Sequence, residues 1–267
     1  MLPYKAVVSD LDGTLLNDSG QLSDTTLSVL TELSNKGVEL ILATGRHPKD
    51  AQQIVGALGP KVSIIGLNGA LTLCHESGSI IDEHHIDAGC MAELLELIKA
   101  ESIHLSIFDN EGWKLHEVNK MAEAYASFSG FPYTLVSPQQ FNNLKVNKLL
   151  LWKEEGINAV EKKINDTMGG RIECYRTSQH QLEIGPPKTS KASAAIYLLS
   201  NKGISFQRQA IAFGDALNDL PMLSQAAQGV LMKNAMPELA NQLSSLPITS
   251  CNVTDGVAHF LRQTFNI

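Results

Sequence analysis

The sequence lacks several features that mark common classes of protein. Its 267 residues include only four cysteines (Cys74, Cys90, Cys174 and Cys251), and no two of them form a C-x-x-C pair. This spacing excludes the usual zinc and dithiol patterns and favours reduced cysteines in a cytoplasmic protein. No apolar run approaches the length of about 20 residues that crosses a bilayer. The N-terminus, MLPYKAVVSDLDG, has none of the features of a signal peptide.

Positive charge is also scarce. There are 21 Lys and Arg residues against 28 Asp and Glu residues, which gives a formal net charge of −7. An acidic chain lacks the electrostatic footprint of a general nucleic-acid binder, and an anionic membrane surface repels it. We therefore expect neither nucleic acid nor a membrane as a partner, and any anionic substrate must be held by a few local cations and amide groups. The sequence carries no signal for the oligomeric state.

Strand and helix patterns alternate in the first and last thirds of the chain. Short apolar runs such as Lys5–Ser9 and Val62–Gly66 are separated by helical patterns. This alternation predicts a doubly wound, mostly parallel, Rossmann-like α/β core, because parallel strands are joined by crossover helices. Residues 84–185 mix strand and helix patterns differently and predict an inserted α+β domain. The predicted core therefore comprises residues 1–83 and 186–267.

Four polar clusters follow predicted strands or stand where the chain re-enters the core. They are Asp10-Leu11-Asp12-Gly13-Thr14, Thr44-Gly45-Arg46, Lys188 with Lys191, and Gly214-Asp215-Ala216-Leu217-Asn218-Asp219. Open parallel sheets bind ligands outside the carboxyl ends of their strands, so we expect these clusters to meet. Paired carboxylates supply a nucleophile and a proton-transfer group, and Mg²⁺ prefers acid and amide oxygens. Each cluster alone also fits a turn or a helix cap, but the combination points to phosphoryl transfer.

These residues resemble the haloacid dehalogenase superfamily of phosphatases. The shared pattern is D-x-D-G-T, a hydroxyl after the second strand, a lysine, and G-D-x-x-N-D. The resemblance is closest to the Cof-like branch (type IIB), whose large α/β cap is inserted between the second and third motifs. Asn68-Gly69-Ala70 and the stretches 232–235 and 254–258 also match that branch. The resemblance implies that residues 84–185 form the cap and determine substrate specificity.

The resemblance also implies a role for each matched residue. Asp10 would be the nucleophile and Asp12 the general acid/base. Mg²⁺ would be held by Asp10, the main-chain carbonyl of Asp12, and Asp215, with Asp219 supporting the metal site. Asn68 would be a further supporting residue, an amide donor that faces the same pocket. Phosphate would be contacted by the Leu11 amide, Thr44, Gly45, Lys191 and Asn218. Lys191 is preferred to Lys188 because it matches the lysine of the family's G-V-S-K-G pattern, although both glycines of that pattern are replaced here.

The implied function is Mg²⁺-dependent hydrolysis of a phosphate monoester of a small metabolite, through an aspartyl-phosphate. Sugar phosphates and pyridoxal phosphate are expected substrates, and the run from Thr44 to His47 resembles bacterial pyridoxal-phosphate phosphatases. Two alternatives stay open. A phosphomutase would return the phosphoryl group to a substrate, and a phospho-accepting regulatory module would store it without turnover. Receiver modules of that kind are much shorter than this chain, and Asp12 favours turnover.

Overall fold

The computed structural model describes residues 2–59, 62–74 and 76–267. The chain divides into a first unit, Met1–Asp82 with Ser190–Ile267, and a second unit, Glu83–Thr189. The strands are β1 Ala6–Ser9, β2 Glu39–Ala43, β3 Val62–Gly66, β4 Leu71–Cys74, β5 Ile80–Glu83, β6 His104–Phe108, β7 Trp113–Leu115, β8 Tyr133–Leu135, β9 Lys148–Trp152, β10 Glu173–Arg176, β11 Gln181–Gly185, β12 Ala210–Gly214, β13 Gln228–Met232 and β14 Ile248–Thr249. The helices are α1 Asp24–Asn35, α2 Pro48–Val55, α3 Ala88–Ile98, α4 Lys120–Ser129, α5 Ile157–Met168, α6 Lys191–Asn201, α7 Phe206–Gln209, α8 Leu220–Gln225, α9 Pro237–Gln242 and α10 Gly256–Phe265.

The sheet of the first unit has the strand order β14-β13-β12-β1-β2-β3-β4-β5. Strands β14 to β3 are parallel, and β4 is antiparallel to β3. The central strand β1 pairs with β12 on one side and with β2 on the other, so that Val8 lies opposite both Ala212 and Ile41. The strand order reverses beside β1, and this is the point at which open parallel sheets form a binding crevice.

Helices cover both faces of this sheet. Successive side chains of a strand point to opposite faces, so Val7 packs into a core shared with α1, α2 and α10, whereas Val8 packs into a core shared with α6, α8 and α9. Burial on both faces explains why β1 and β12 are almost wholly apolar. The predicted doubly wound, mostly parallel core is confirmed.

The second unit is an α+β domain built on one mixed sheet. Its strand order is β10-β11-β9-β6-β7-β8, antiparallel except for the parallel pair β7 and β8. Helices α3 and α5 contribute Leu94 and Ile164 to a core with Ile107 and Leu149 of the sheet. Helix α4 was not anticipated from the sequence, and the Tyr125 ring on it meets Trp113 edge-on at a centroid distance of 5.5 Å. Among the described residues, no helix combines the length and apolar character that crossing a bilayer requires.

Candidate active site

The carboxyl ends of four neighbouring strands bring the predicted clusters of the first unit together. Asp10 directly follows β1, Thr44 follows β2, Asn68 comes two residues after β3, and Asp215 directly follows β12. These strands are parallel neighbours in the order β12-β1-β2-β3, so their carboxyl ends share one edge of the sheet. The topology therefore gathers side chains that lie as much as 205 positions apart in the sequence (215 − 10 = 205).

The chain turns sharply after Asp10. The Asp10 amide donates to the Phe213 carbonyl at 3.1 Å, and a tight turn over Leu11–Leu15 follows. Gly13 lies in this turn with φ of +77°, and a Cβ atom there would be only 2.4 Å from Oδ2 of Asp215. Only glycine satisfies both the backbone conformation and the close approach. The Thr14 hydroxyl donates to Oδ1 of Asp215 at 2.7 Å, which ties the first cluster to the fourth.

Lys191 is the buried cation of the site. It is the first residue of α6, whose N-cap is Ser190, and its side chain is 1% exposed. Its Nζ donates to Oδ1 of Asp10 at 2.5 Å and to Oδ1 of Asp219 at 2.7 Å. Burial disfavours the charged amine, but the two carboxylates outweigh it, so the pKa of Lys191 is raised. Lys188, in contrast, is exposed, and its backbone amide donates to Glu173.

Asp219 organises the loop that follows β12. Its Oδ2 accepts hydrogen bonds from the amides of Asp215 and Ala216, each at 3.0 Å, while its Oδ1 accepts from Lys191. The side chain is fully buried, and a Cβ atom at Gly214 would lie 2.6 Å from it. Both oxygens of Asp219 therefore have protein donors, and glycine at position 214 leaves room for the carboxylate.

The carboxylates of Asp10, Asp215 and Asp219 form an acidic group that fits a divalent cation. Each offers one oxygen, and these oxygens lie within 4.8 Å of one another. With Lys191, the formal charge of the group is −3 + 1 = −2. Burial, with the neighbouring carboxylates, raises the pKa of Asp10 well above its usual value despite Lys191, and burial and Asp219 raise the pKa of Asp215 to about 6. A largely buried set of hard oxygen donors with excess negative charge is the kind of site that Mg²⁺ occupies.

The other predicted residues lie around this group. Thr44 is buried, and its carbonyl accepts from the Asn68 amide at 3.0 Å. Asn68 has a left-handed backbone, with φ of +57°, and its Oδ1 accepts from Nδ2 of Asn218 at 3.0 Å. Leu11 is buried at the start of the tight turn, and Gly45 directly follows Thr44. The Asp12 carboxylate is about half exposed and is bound by Arg46.

The sequence matches the model of the haloacid dehalogenase-like hydrolases over residues 7–261. The chain belongs to the haloacid dehalogenase-like hydrolase family. The resemblance predicted from the four motifs is therefore confirmed, and the enzyme is a phosphatase, as the names of its relatives indicate.

Similar proteins cover almost the whole of this hydrolase. It is 31% identical to the HMP-PP phosphatase of Enterobacter sp. (strain 638), over 94% of this chain and 92% of that protein. It is 30% identical to the HMP-PP phosphatase of Escherichia fergusonii, with the same shares of each chain. A haloacid dehalogenase-like hydrolase from Bacteroides thetaiotaomicron is 26% identical and superposes with a TM-score of 0.85, over 98% of this chain and 100% of that one.

Two asparagines at the site of this hydrolase had no role in the sequence prediction. Nδ2 of Asn234 donates to the Gly13 carbonyl at 2.7 Å, and its Oδ1 accepts from the Asn252 amide at 3.1 Å. Nδ2 of Asn252 donates to the Leu16 carbonyl at 2.9 Å. The two side chains thus hold the turn that carries Asp12. Asn234 belongs to a stretch that matched the Cof-like branch, so a signal existed, but nothing in that stretch indicates which group the Asn234 side chain binds.

Proposed function

We propose that this hydrolase removes phosphate from a small phosphorylated metabolite through an aspartyl-phosphate at Asp10, with Mg²⁺ as cofactor. The observation that carries the proposal is the placement of Lys191, a buried cation within 2.5 Å of one Asp10 oxygen, beside a group of carboxylates that fits a divalent cation. A phosphoryl dianion that approaches Asp10 meets like charge, and a cation at this position offsets the repulsion.

The proposed first step transfers the phosphoryl group to the protein. An Asp10 carboxylate oxygen attacks phosphorus, a new P–O bond forms, and the bond from phosphorus to the leaving oxygen breaks. Asp12 donates a proton to that oxygen as it departs. In the second step Asp12 takes a proton from water, the water oxygen attacks phosphorus, and the bond to Asp10 breaks to release inorganic phosphate.

Mg²⁺ would be held by Asp10, the Asp12 main-chain carbonyl and Asp215. When bound, it neutralises charge on the phosphoryl oxygens and on the attacking carboxylate. Asp219 would support the site, because both of its oxygens are occupied by Lys191 and backbone amides. The phosphate would be contacted by the Leu11 amide, Thr44, Gly45, Lys191 and Asn218, with Asn68 orienting Asn218 through its hydrogen bond.

Substrate choice is proposed to reside in the cap, predicted as residues 84–185. The relatives named HMP-PP phosphatase make HMP-PP the first compound to test, followed by pyridoxal phosphate, sugar phosphates and flavin mononucleotide. The net charge of −7 supports a small anion bound by local groups over nucleic acid or an anionic membrane as the partner. The cytoplasmic location inferred from the cysteines stays a prediction.

The deciding experiment measures phosphate release from this panel with Mg²⁺ and with a chelator, and traps the intermediate by rapid acid quench and mass spectrometry. We expect turnover of one or a few compounds, loss of turnover with chelator, and a phosphorylated peptide that contains Asp10. Phosphate transfer to a second substrate molecule without release would indicate a mutase. A stable phosphoprotein without turnover would indicate a regulatory module.

A further inference from the structure

The Asp12 carboxylate accepts two hydrogen bonds from the Arg46 guanidinium. Nε of Arg46 donates to Oδ2 of Asp12 at 2.7 Å, and Nη2 donates to Oδ1 at 2.6 Å. Two parallel hydrogen bonds from a planar guanidinium fix the plane of a carboxylate as well as its position. A lysine at position 46 would supply charge without this two-point geometry.

Arg46 is itself held in place. Its side chain is 8% exposed, and Nη1 lies 3.4 Å from Oδ2 of Asp50, a fully buried carboxylate on α2. The backbone is fixed on both sides, because the Arg46 amide donates to the Thr44 hydroxyl at 3.1 Å and its carbonyl accepts from the Leu67 amide at 2.9 Å. The guanidinium is therefore held in place, with its Nε and Nη2 atoms directed at the Asp12 carboxylate.

Asp12 is the more exposed partner of the pair. Its side chain is 51% exposed, and in the described part of the chain the Arg46 fork provides the hydrogen bonds to its carboxylate. Its backbone is set by the tight turn and by the Asn234 bond to Gly13. The side-chain torsions of Asp12 are thus the remaining freedom, and Arg46 restricts them.

We propose that Arg46 is a positioning residue that holds the Asp12 carboxylate in the orientation from which it exchanges a proton with the leaving group and with water. This inference rests on the proposed role of Asp12. Proton transfer requires hydrogen-bond reach, and a displacement of about 1 Å can cost about a hundredfold in rate. Arg46 acts through Asp12 and is not assigned a contact with the substrate.

The test compares two leaving groups in Arg46→Ala and Arg46→Lys. An alkyl phosphate leaves as an alkoxide that needs a proton, whereas the phenolate of p-nitrophenyl phosphate leaves without one. The ratio kcat/KM reports the steps up to departure of the leaving group. We expect it to fall about 10- to 100-fold for the alkyl phosphate and less than about threefold for p-nitrophenyl phosphate. Arg46→Lys keeps a cation beside buried Asp50, which preserves the test if Arg46→Ala does not fold.

Two further measurements separate positioning from other roles. In an Asp12→Asn background, either substitution of Arg46 should change kcat/KM for the alkyl phosphate by less than about threefold, because the residue through which Arg46 acts is already lost. The inhibition constant of inorganic phosphate should stay within about threefold of wild type. Lys202→Ala is the control, since Lys202 forms an ion pair with Glu39 at the amino end of β2, opposite the edge of the sheet at which the site lies. This control should leave kcat/KM unchanged for both substrates.

Several outcomes would overturn the inference. An equal fall in kcat/KM for the alkyl phosphate and for p-nitrophenyl phosphate would mean that Arg46 binds the phosphoryl group. A large rise in the inhibition constant of inorganic phosphate would mean the same. Full activity of Arg46→Lys would mean that the charge of residue 46 matters and its two-point geometry does not. A higher rate in Arg46→Ala would mean that Arg46 holds the Asp12 carboxylate away from the reacting groups. If wild-type protein hydrolyses no compound of the panel, the proposed function fails first; if it does and the variants lose both substrates equally, only the role of Arg46 fails.

Discussion

Lys191→Met gives the most direct test of the electrostatics at the site. Methionine matches the length of much of the lysine side chain, but it removes the ammonium group between Asp10 and Asp219. The formal charge of the buried group then changes from −2 to −3. Removing one partner of a buried ion pair costs about 3–5 kcal/mol, because the remaining charges lose their compensation.

The expected change in melting temperature follows from this cost. For a chain of this size each kcal/mol shifts the transition by roughly 2–4 °C, so the metal-free variant should melt about 6–20 °C below wild type at pH 8. The difference should shrink toward pH 5, because the uncompensated carboxylates then take up protons. Turnover should fall by at least about a hundredfold, the usual cost of losing one donor to developing charge.

Calorimetry with chelator present, followed by phosphate-release assays with Mg²⁺, measures both effects. Lys188→Met is the matched control: Lys188 is exposed, and its contact with Glu173 uses the backbone amide, which methionine retains. The control should melt within about 2 °C of wild type, as exposed substitutions usually do. If Lys191→Met also melts within 2 °C of wild type at pH 8, the site does not contain the buried charge described above. A larger loss of turnover in Lys188→Met than in Lys191→Met would refute the assignment of Lys191 as the lysine of the site.

Three other outcomes are expected. Asp10→Asn should abolish phosphate release while the melting transition is retained; substantial turnover by the purified variant would exclude Asp10 as the nucleophile. Asn234→Ala removes the donor to the Gly13 carbonyl, so the Mg²⁺ concentration for half-maximal activity should rise about tenfold, and an unchanged value would show that the bond does not order the turn. Mg²⁺ affinity should fall below about pH 6, because the pKa of Asp215 is about 6 and the metal binds the deprotonated carboxylate. Titration calorimetry at pH 5 and 7.5 measures this, and equal affinities would contradict it.

The meeting of the polar clusters at one edge of the sheet was predictable from the sequence, because one physical rule governs where parallel strands end. Parallel strands end at the same edge of a sheet. Residues that directly follow apolar runs, such as Asp10 and Asp215, therefore come together however many residues separate them in the sequence. Lys191 was predicted through the family resemblance, and the structure places it as the first residue of α6, after the N-cap Ser190.

The remaining contacts depend on side-chain geometry, which periodicity does not encode. Arg46 and Asp12 both stood in recognised motifs, but their pairing depends on rotamers and on the anchor at Asp50. Asn234 reaches a carbonyl 221 positions away, and an exposed asparagine carries no sign of such a bond. Helix α4 has a cap at Asn119 and ends at Gly130, but Ala122 is its one buried residue, so it carries no apolar periodicity from which a helix could be predicted.

The position of β1 has a consequence for how the chain is made. Ala6 pairs with Ala210, so the central strand acquires its second neighbour only after more than 200 residues have been synthesised. All strand pairs of the second sheet lie between positions 104 and 185, and they become complete earlier. At a synthesis rate of about 5–20 residues per second, one edge of β1 stays unpaired and apolar for on the order of ten seconds. During nascent-chain folding, that edge is where chaperone binding and aggregation compete with the native pairing.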